Sequence, residues 1–249
     1  MGNQFLDSVS DLSAIVNLIN PLDDSGKTMN AKEIELAGVE IEGEIFRWFA
    51  SRLSRDWTRF AKKEDANDSA LDEKLISKMS FFGISRGEIR IVLSKESFSS
   101  NLSIWSEEDF MRISRAVFTY IKPIIRVVNK GDLIHEGKTL EEITAMGYTI
   151  ISADYELSIW KALNHGLIKS VENPEPNETA NPAQKNALKL ISDLFSAEKV
   201  SRIADMFSHI VYNILSYIVV YPVFDESKWT DKKGTILPDT FLMPKKSTA

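Results

Sequence analysis

Cationic side chains recur at helical spacing in one part of the chain. Residues 47–63 carry six Arg or Lys against a single acid. Four of these cations repeat every three or four residues and therefore share one helix face: Arg52, Arg55, Arg59 and Lys62. Guanidinium groups match phosphate oxygens and stack on exposed bases. The face indicates single-stranded RNA as its ligand, with solvent or an acidic protein partner as the alternative.

A second basic group lies further along the chain. Arg115, Lys122 and Arg126 are separated by seven and four residues, which places them on one side of a helix. We expect this helix to run from Asp109 to about Asn129, with a kink at Pro123 because proline lacks a backbone donor. The two cationic helix faces are then expected to line one groove for RNA.

Motifs of small-molecule catalysis are absent from the sequence. There is no Gly-x-x-x-x-Gly-Lys-Ser/Thr loop, no Gly-rich dinucleotide turn, no Gly-x-Ser-x-Gly elbow and no His-Glu-x-x-His. The three histidines are isolated, and the lack of cysteine excludes thiolate nucleophiles and cysteine-bound zinc. We therefore predict no catalytic residue, no metal and no cofactor, and a protein that is not an enzyme.

One alternative assigns chemistry to Arg202 and His209, which are separated by six residues. This spacing resembles the motif of HEPN-type ribonucleases, which are α-helical. The resemblance implies that His209 assists proton transfer from a ribose 2′-hydroxyl while Arg202 stabilises the charge on the phosphorus.

The elements that must position these residues are predicted to be mainly helical. Apolar residues at helical spacing predict helices over residues 5–20 and 42–63, whereas partial alternation over residues 88–94 indicates at most a short β-hairpin arm. We expect a two-lobed helical core with terminal arms, divided near a proline-rich linker. The predicted parts are an N-terminal arm (1–30), an N-terminal lobe (31–172), a C-terminal lobe (183–224) and a C-terminal tail (225–249).

Charge and hydropathy limit the function classes. A net charge of −6 argues against a protein that binds nucleic acid with its whole surface. The most apolar stretch, residues 210–223, is too short to span a bilayer and is predicted to be a buried helix, so no membrane role is expected. The absence of cysteine and of a signal-like start favours a cytoplasmic location.

A family resemblance extends over roughly residues 112–187. Its blocks are, in order, Arg115-Ala-Val-Phe-Thr-Tyr-Ile-Lys-Pro123, Gly147-Tyr148, Ala153-Asp154-Tyr155, Gly166-Leu-Ile-Lys169 and Asn181-Pro-Ala-Gln-Lys-Asn-Ala187. The order is similar to that in coat proteins of flexuous filamentous plant viruses, and the related nucleoproteins of phlebovirus-like viruses share the same plan. The resemblance implies a helical core with arms that reach neighbouring subunits, an RNA groove, and groove roles for Arg115 and Asp154.

These observations lead to one hypothesis and two alternatives. The hypothesis is a viral coat or nucleocapsid-type protein that binds single-stranded RNA and polymerises into a helical assembly through its terminal arms. Its predicted RNA-binding residues are Arg52, Arg55, Arg59, Arg115, Lys122, Arg126 and Asp154. The alternatives are the ribonuclease with Arg202 and His209, and a non-enzymatic protein-binding scaffold.

Overall fold

Three short parallel strands organise the larger part of the molecule. In the computed structural model, which describes residues 12–196, 199–237 and 239–245, these strands are β1 (Ile15–Ile19), β2 (Ile124–Val128) and β3 (Thr149–Ile150). They form a sheet in the order β1-β2-β3, and Asn17 pairs with Arg126 while Val127 pairs with Thr149. The fold is therefore of the α/β type, and the prediction of a mainly helical, two-lobed core is wrong.

Helices supply the crossovers that a parallel sheet requires. Those between β1 and β2 are α1 (Ala31–Leu53), α2 (Trp57–Asp65), α3 (Leu71–Met79), α4 (Arg86–Lys95) and α5 (Glu107–Tyr120). The crossover from β2 to β3 contains α6 (Gly137–Ala145), and the helices that follow β3 are α7 (Ala153–Asn164) and α8 (Pro182–Ser196). Since every strand ends at the same edge of a parallel sheet, the loops after β1, β2 and β3 meet there.

Helix α1 contributes to two of the apolar clusters in this unit. The first lies against the sheet and includes Ile34 of α1 together with Val128 and Ile150. The second is formed mainly by α1 to α5 and includes Phe49 and Leu53 of α1. At 23 residues, α1 is long enough to link the sheet to the helical cluster, which we call the helical region (residues 45–120).

Local sequence signals explain why several of the predicted elements differ from the structure. The helix expected from Asp109 ends at Tyr120, and the β-branched residues after Pro123 form β2. Residues 88–94, expected to form a hairpin arm, belong to α4 because Ser85 and Glu88 form a capping box at its start. The helix expected over residues 5–20 lies partly outside the described residues, which begin at residue 12. Within the described part, Ile15–Ile19 is a strand whose residues alternate between buried and exposed.

The chain divides into two units between Val200 and Ser201, and the second unit comprises residues 201–249. It contains α9 (Ile203–Ser208), a π-helical turn (His209–Ile214) and an antiparallel ribbon of β4 (Tyr217–Val220) and β5 (Phe241–Pro244). The buried helix expected over residues 210–223 is therefore replaced by the π-helical turn and β4. None of the helices in the described ranges has the length and apolar character needed to cross a membrane.

Candidate functional site

The loop after β2 carries a concentration of polar side chains. It reads Asn129-Lys130-Gly131-Asp132 and lies at the carboxyl end of β2, beside the loop Ile151-Ser152-Ala153 that follows β3. Ligands of open α/β sheets bind at the carboxyl ends of the strands. We define the two loops together, residues 129–132 and 151–154, as the edge site.

Hydrogen bonds fasten the two loops to each other. The Gly131 N–H donates to the Ile151 carbonyl at 2.9 Å, and the Ala153 N–H donates to Asn129 Oδ1 at 3.0 Å. Asn129 Oδ1 also accepts from the Lys130 N–H at 2.8 Å. The side-chain oxygen of Asn129 thus contacts the backbone of both loops.

The chemically distinctive group of the edge site is the Asp132 carboxylate. The Ser152 hydroxyl, which is almost fully buried, donates to Asp132 Oδ1 at 2.5 Å. An ionised carboxylate has about four lone-pair positions and accepts hydrogen bonds without donating any. Because Ser152 is neutral and occupies one of these positions, the oriented carboxylate can still accept two further N–H groups from a ligand.

The backbone of the first loop leaves little freedom at two positions. Lys130 has a φ of 58°, in the left-handed region that a side chain disfavours. At Gly131, a Cβ atom would lie 2.6 Å from Ile150 Cγ2 and 3.3 Å from the Ile151 carbonyl oxygen. Only glycine permits this close approach of the two loops, so the loop geometry depends on Gly131.

The start of α7 adds backbone donors to the same edge. Ser152 is the N-cap of α7, and its hydroxyl oxygen accepts from the Tyr155 N–H at 3.4 Å. The N–H of Asp154 lies in the first turn, where no helical carbonyl is available to it. A helix N-terminus carries partial positive charge, so an electron-rich carbonyl of a ligand would be stabilised here beside the Asp132 carboxylate.

The structure separates the predicted RNA-binding residues of α1 and α2 from the edge site. Arg52 is half-buried in the last turn of α1, and Arg55 and Arg59 are exposed where α1 gives way to α2. The carbonyl of Arg55 accepts a hydrogen bond from Lys78. These cations belong to the helical region and contribute nothing to the loops after β2 and β3.

The second predicted basic group does not share a helix face. Arg115 is exposed on α5, whereas Lys122 is buried and donates to the Leu12 carbonyl at 3.0 Å. Arg126 lies in β2 and pairs with Glu42 at 2.6 Å. A groove lined by two cationic helices is therefore not formed by these residues. Asp154, which the family resemblance pointed to, does lie at the edge site, exposed in the first turn of α7.

The residues of the ribonuclease alternative lie in the second unit. Arg202 is the half-buried N-cap residue of α9, and His209 is exposed at the start of the π-helical turn. Within the described ranges, no three His, Asp or Glu side chains are grouped as a metal ion would require.

The residues of the edge site other than Asp154 are not among those predicted from the sequence, because residues 124–128 were expected to continue a helix kinked at Pro123. The run Ile124-Ile-Arg-Val-Val128 after a proline is typical of a buried strand, and Asn-Lys-x-Asp follows it directly. A strand prediction for residues 124–128 would have placed this tetrapeptide at a sheet edge.

Comparison with a solved structure supports the fold assignment. The chain is similar to a crystal structure of a GTP-binding protein from Pyrococcus horikoshii OT3, with a TM-score of 0.67 and 24% identity. The alignment covers 96% of this chain and 67% of that one. At this identity the similarity supports the α/β fold alone, and it contradicts the mainly helical fold that the coat-protein resemblance implied.

Two sequence comparisons concern the edge site directly. Residues 127–225 match a family model described as the Obg-like GTPase YGR210-like, G4 motif-containing domain. The whole chain is also 29% identical to an uncharacterised GTP-binding protein of Methanocaldococcus jannaschii, and it spans 65% of the length of that relative. The family match begins two residues before Asn129 and includes both loops of the edge site.

These comparisons overturn the functional hypothesis drawn from the sequence. The similar proteins are described as GTP-binding and not as coat proteins or nucleoproteins, so the viral resemblance, RNA coating and polymerisation through arms are wrong. The ribonuclease and scaffold alternatives gain no support from them either. The matched family is described as GTPases, which conflicts with the expectation that the chain is not an enzyme.

Proposed function

We propose that this chain binds guanine nucleotides, and that the edge site recognises the guanine base. The observation that carries the proposal is the Asp132 carboxylate, held by Ser152 at 2.5 Å where two parallel strands end. The segment that contains it matches a family of GTPases, and the relatives described above are named as GTP-binding proteins.

The chemistry of guanine is complementary to this arrangement. One edge of the base presents N1–H and N2–H₂ as adjacent donors, and a carboxylate accepts two such bonds in parallel. Adenine presents a lone pair at its N1 position, which a carboxylate repels. Hydrogen bonds to charged groups contribute about 1.5–3 kcal/mol each, so two of them favour guanine over adenine by about 100-fold or more.

Two further groups of the edge site suit the same ligand. Guanine O6 is an acceptor, and the first turn of α7 offers the N–H of Asp154 together with the positive end of the helix. The stem of Lys130 is apolar and half-buried, and can cover the face of a planar base. Hydrolysis of GTP would need phosphate-binding groups as well, so base recognition is the part of the activity that these residues support.

The proposal is tested by calorimetric titration of the chain with GDP, ADP and XDP. The wild type is expected to bind GDP at least about 100-fold more tightly than ADP, for the reason above. Asp132→Asn replaces one acceptor by a donor, which matches the N1–H and O2 of xanthine. We therefore expect this variant to lose GDP affinity and gain XDP affinity. Asp68→Asn, an exposed site in the helical region, is the matched control.

Either of two results would contradict base recognition at this site. One is equal affinity of the wild type for GDP and ADP. The other is an Asp132→Asn variant that folds like the wild type and retains its preference for GDP over XDP.

A further inference from the structure

A row of polar side chains crosses the face of the sheet that packs against α1. Asn17 of β1 lies beside Arg126 of β2 in the strand register. Because Val127 pairs with Thr149, Tyr148, the residue before β3, lies on the other side of Arg126. Asn17 and Tyr148 are buried and Arg126 is half-buried, and we call these three residues the polar row.

The polar row separates the two apolar clusters. On the side nearer the edge site, the next row of the sheet consists of Ile19, Val128 and Ile150, which belong to the cluster against the sheet. On the other side, Ile15 and Ile124 pack against the cluster of the helical region. Helix α1 contributes to both clusters, and its middle part lies over the polar row.

Three contacts hold α1 on the polar row. Arg126 donates to both oxygens of Glu42, at 2.6 and 2.7 Å, and Asn17 Nδ2 donates to the Gly38 carbonyl at 3.0 Å. Gly38 also sets the distance between helix and sheet, because a Cβ there would lie 2.5 Å from the Tyr148 hydroxyl. The position of α1 along the sheet is thus determined by polar contacts and by one glycine.

Two buried atoms of the polar row lack a partner among the described protein atoms, namely the Tyr148 hydroxyl and Asn17 Oδ1. The bond to the Gly38 carbonyl fixes which end of the Asn17 amide is the oxygen. Burial raises the pKa of Tyr148, so its hydroxyl remains a donor at neutral pH. One atom is a donor and the other an acceptor, and a buried unpaired polar group is unfavourable. A rearrangement that gives either atom a partner would therefore be stabilised.

We propose that the polar row couples the edge site to the helical region, an inference that rests on the proposed function. Arg126 precedes Asn129 by three residues on β2, and Tyr148 precedes Ser152 by four residues across β3. Nucleotide binding at the edge site shifts these strands against α1, and the Tyr148 hydroxyl and Asn17 oxygen gain partners in the new arrangement. Packed helices move by such small slides between discrete positions, and α1 carries the shift into residues 45–65.

Hydrogen–deuterium exchange of the whole chain with and without saturating GDP tests the coupling. The inference predicts slower exchange at residues 129–132 and 151–155, together with a change in exchange rate of about threefold or more at residues 45–65. Protection confined to the two loops would overturn the coupling and leave the proposed function standing. No protection anywhere, with no GDP binding, would instead reject the proposed function.

Paired variants separate coupling from a merely structural role. Glu42→Gln keeps the size of the side chain but weakens its pairing with Arg126, so GDP affinity should stay within about threefold of wild type while the change at residues 45–65 disappears. Glu40→Gln, exposed on the same helix, should behave like the wild type. A Glu42→Gln variant that retains the full change at residues 45–65 would overturn the inference.

Tyr148→Phe supplies a second, independent readout. It removes a hydroxyl that is unpaired in the free protein, so the thermal midpoint without nucleotide should not fall. If the hydroxyl gains a partner on binding, the variant should bind GDP about fivefold more weakly, as expected for one neutral hydrogen bond. A Tyr148→Phe variant with wild-type GDP affinity would count against the rearrangement.

Discussion

Asp132 and Asp72 are both carboxylates with short hydrogen bonds, but they differ in the charge of their partners. Asp72 in α3 accepts from Arg86 and Arg90 at 2.7 Å each, through the same oxygen. Asp132 accepts from the neutral Ser152 hydroxyl at 2.5 Å. The charge of Asp72 is offset by two guanidinium groups, whereas the hydroxyl partner of Asp132 is neutral. On the proposed function, the charge of the partners therefore distinguishes a ligand-binding carboxylate from a structural one better than the length of the hydrogen bonds does.

The largest effect on the edge site is expected for the substitution Gly131→Ala. A Cβ at this position would lie 2.6 Å from Ile150 Cγ2 and close to backbone, so the two loops must separate. We expect a loss of stability of about 1–3 kcal/mol from overpacking and a loss of guanine affinity of more than about 30-fold because Asp132 moves. Chemical denaturation and GDP titration measure the two effects.

Gly87→Ala in α4 is the control for that substitution. A Cβ there would find its nearest neighbour at 3.9 Å, so the change should be neutral or slightly stabilising. If Gly131→Ala bound GDP as tightly as Gly87→Ala, the loop contact would have no part in presenting Asp132.

An intermediate effect is expected for Ser152→Ala. The substitution removes the hydrogen bond that orients Asp132 and the cap at the start of α7. Stability should fall by about 1 kcal/mol, and GDP affinity by about five- to tenfold, because the carboxylate remains but is no longer held. The matched variant Ser106→Ala removes a cap from α5, far along the chain from the loops. It should lose similar stability without loss of affinity, and equal affinities in the two variants would show that Ser152 is only a cap.

The substitution Asp72→Asn is expected to leave nucleotide affinity unchanged. The hydrogen bonds from Arg86 and Arg90 lower the pKa of Asp72 to about 2, from an ordinary value of 3.8. Because the folded-state pKa is depressed, its contribution to stability is complete above about pH 4 and is lost as the pH falls toward 2. The difference in urea midpoint between wild type and Asp72→Asn should therefore shrink over this range. A difference that stays constant down to pH 2, or a change in GDP affinity at pH 7, would contradict the structural role.

Elements with local signals were predictable from the sequence. The apolar spacing over residues 70–82 and the acids near its start are typical of a helix, and α3 with the turn that follows occupies this range. The start of α5 at Ser106 and the end of α6 near Gly147, where φ is 84°, follow from capping rules. By contrast, β1 and β2 are five residues long each, and short apolar runs do not distinguish a strand from a piece of helix.

The candidate site was predictable only in part, because the strand before Asn129 has a local signal but the pairing of the two loops does not. Asn129 and Ser152 are 23 positions apart, and nothing in either tetrapeptide alone reveals that the other loop lies beside it. The basic residues of α1 and α2 formed a more conspicuous pattern because their signal is contained in one helix. Spacing along a helix reports which side chains share a face, but not whether a ligand is present on that face.

The sequence by itself determined the caps and the apolar stripes of the long helices, because these depend on residues within one or two turns. Composition alone excluded cysteine chemistry. Tertiary structure decided the rest. Parallel pairing of β2 with β1 and β3 brought Asp132 to Ser152 and aligned Asn17, Arg126 and Tyr148 under α1. Such pairings join residues that are distant in the chain, and their stability comes from burial and hydrogen bonds that exist only once the sheet has formed.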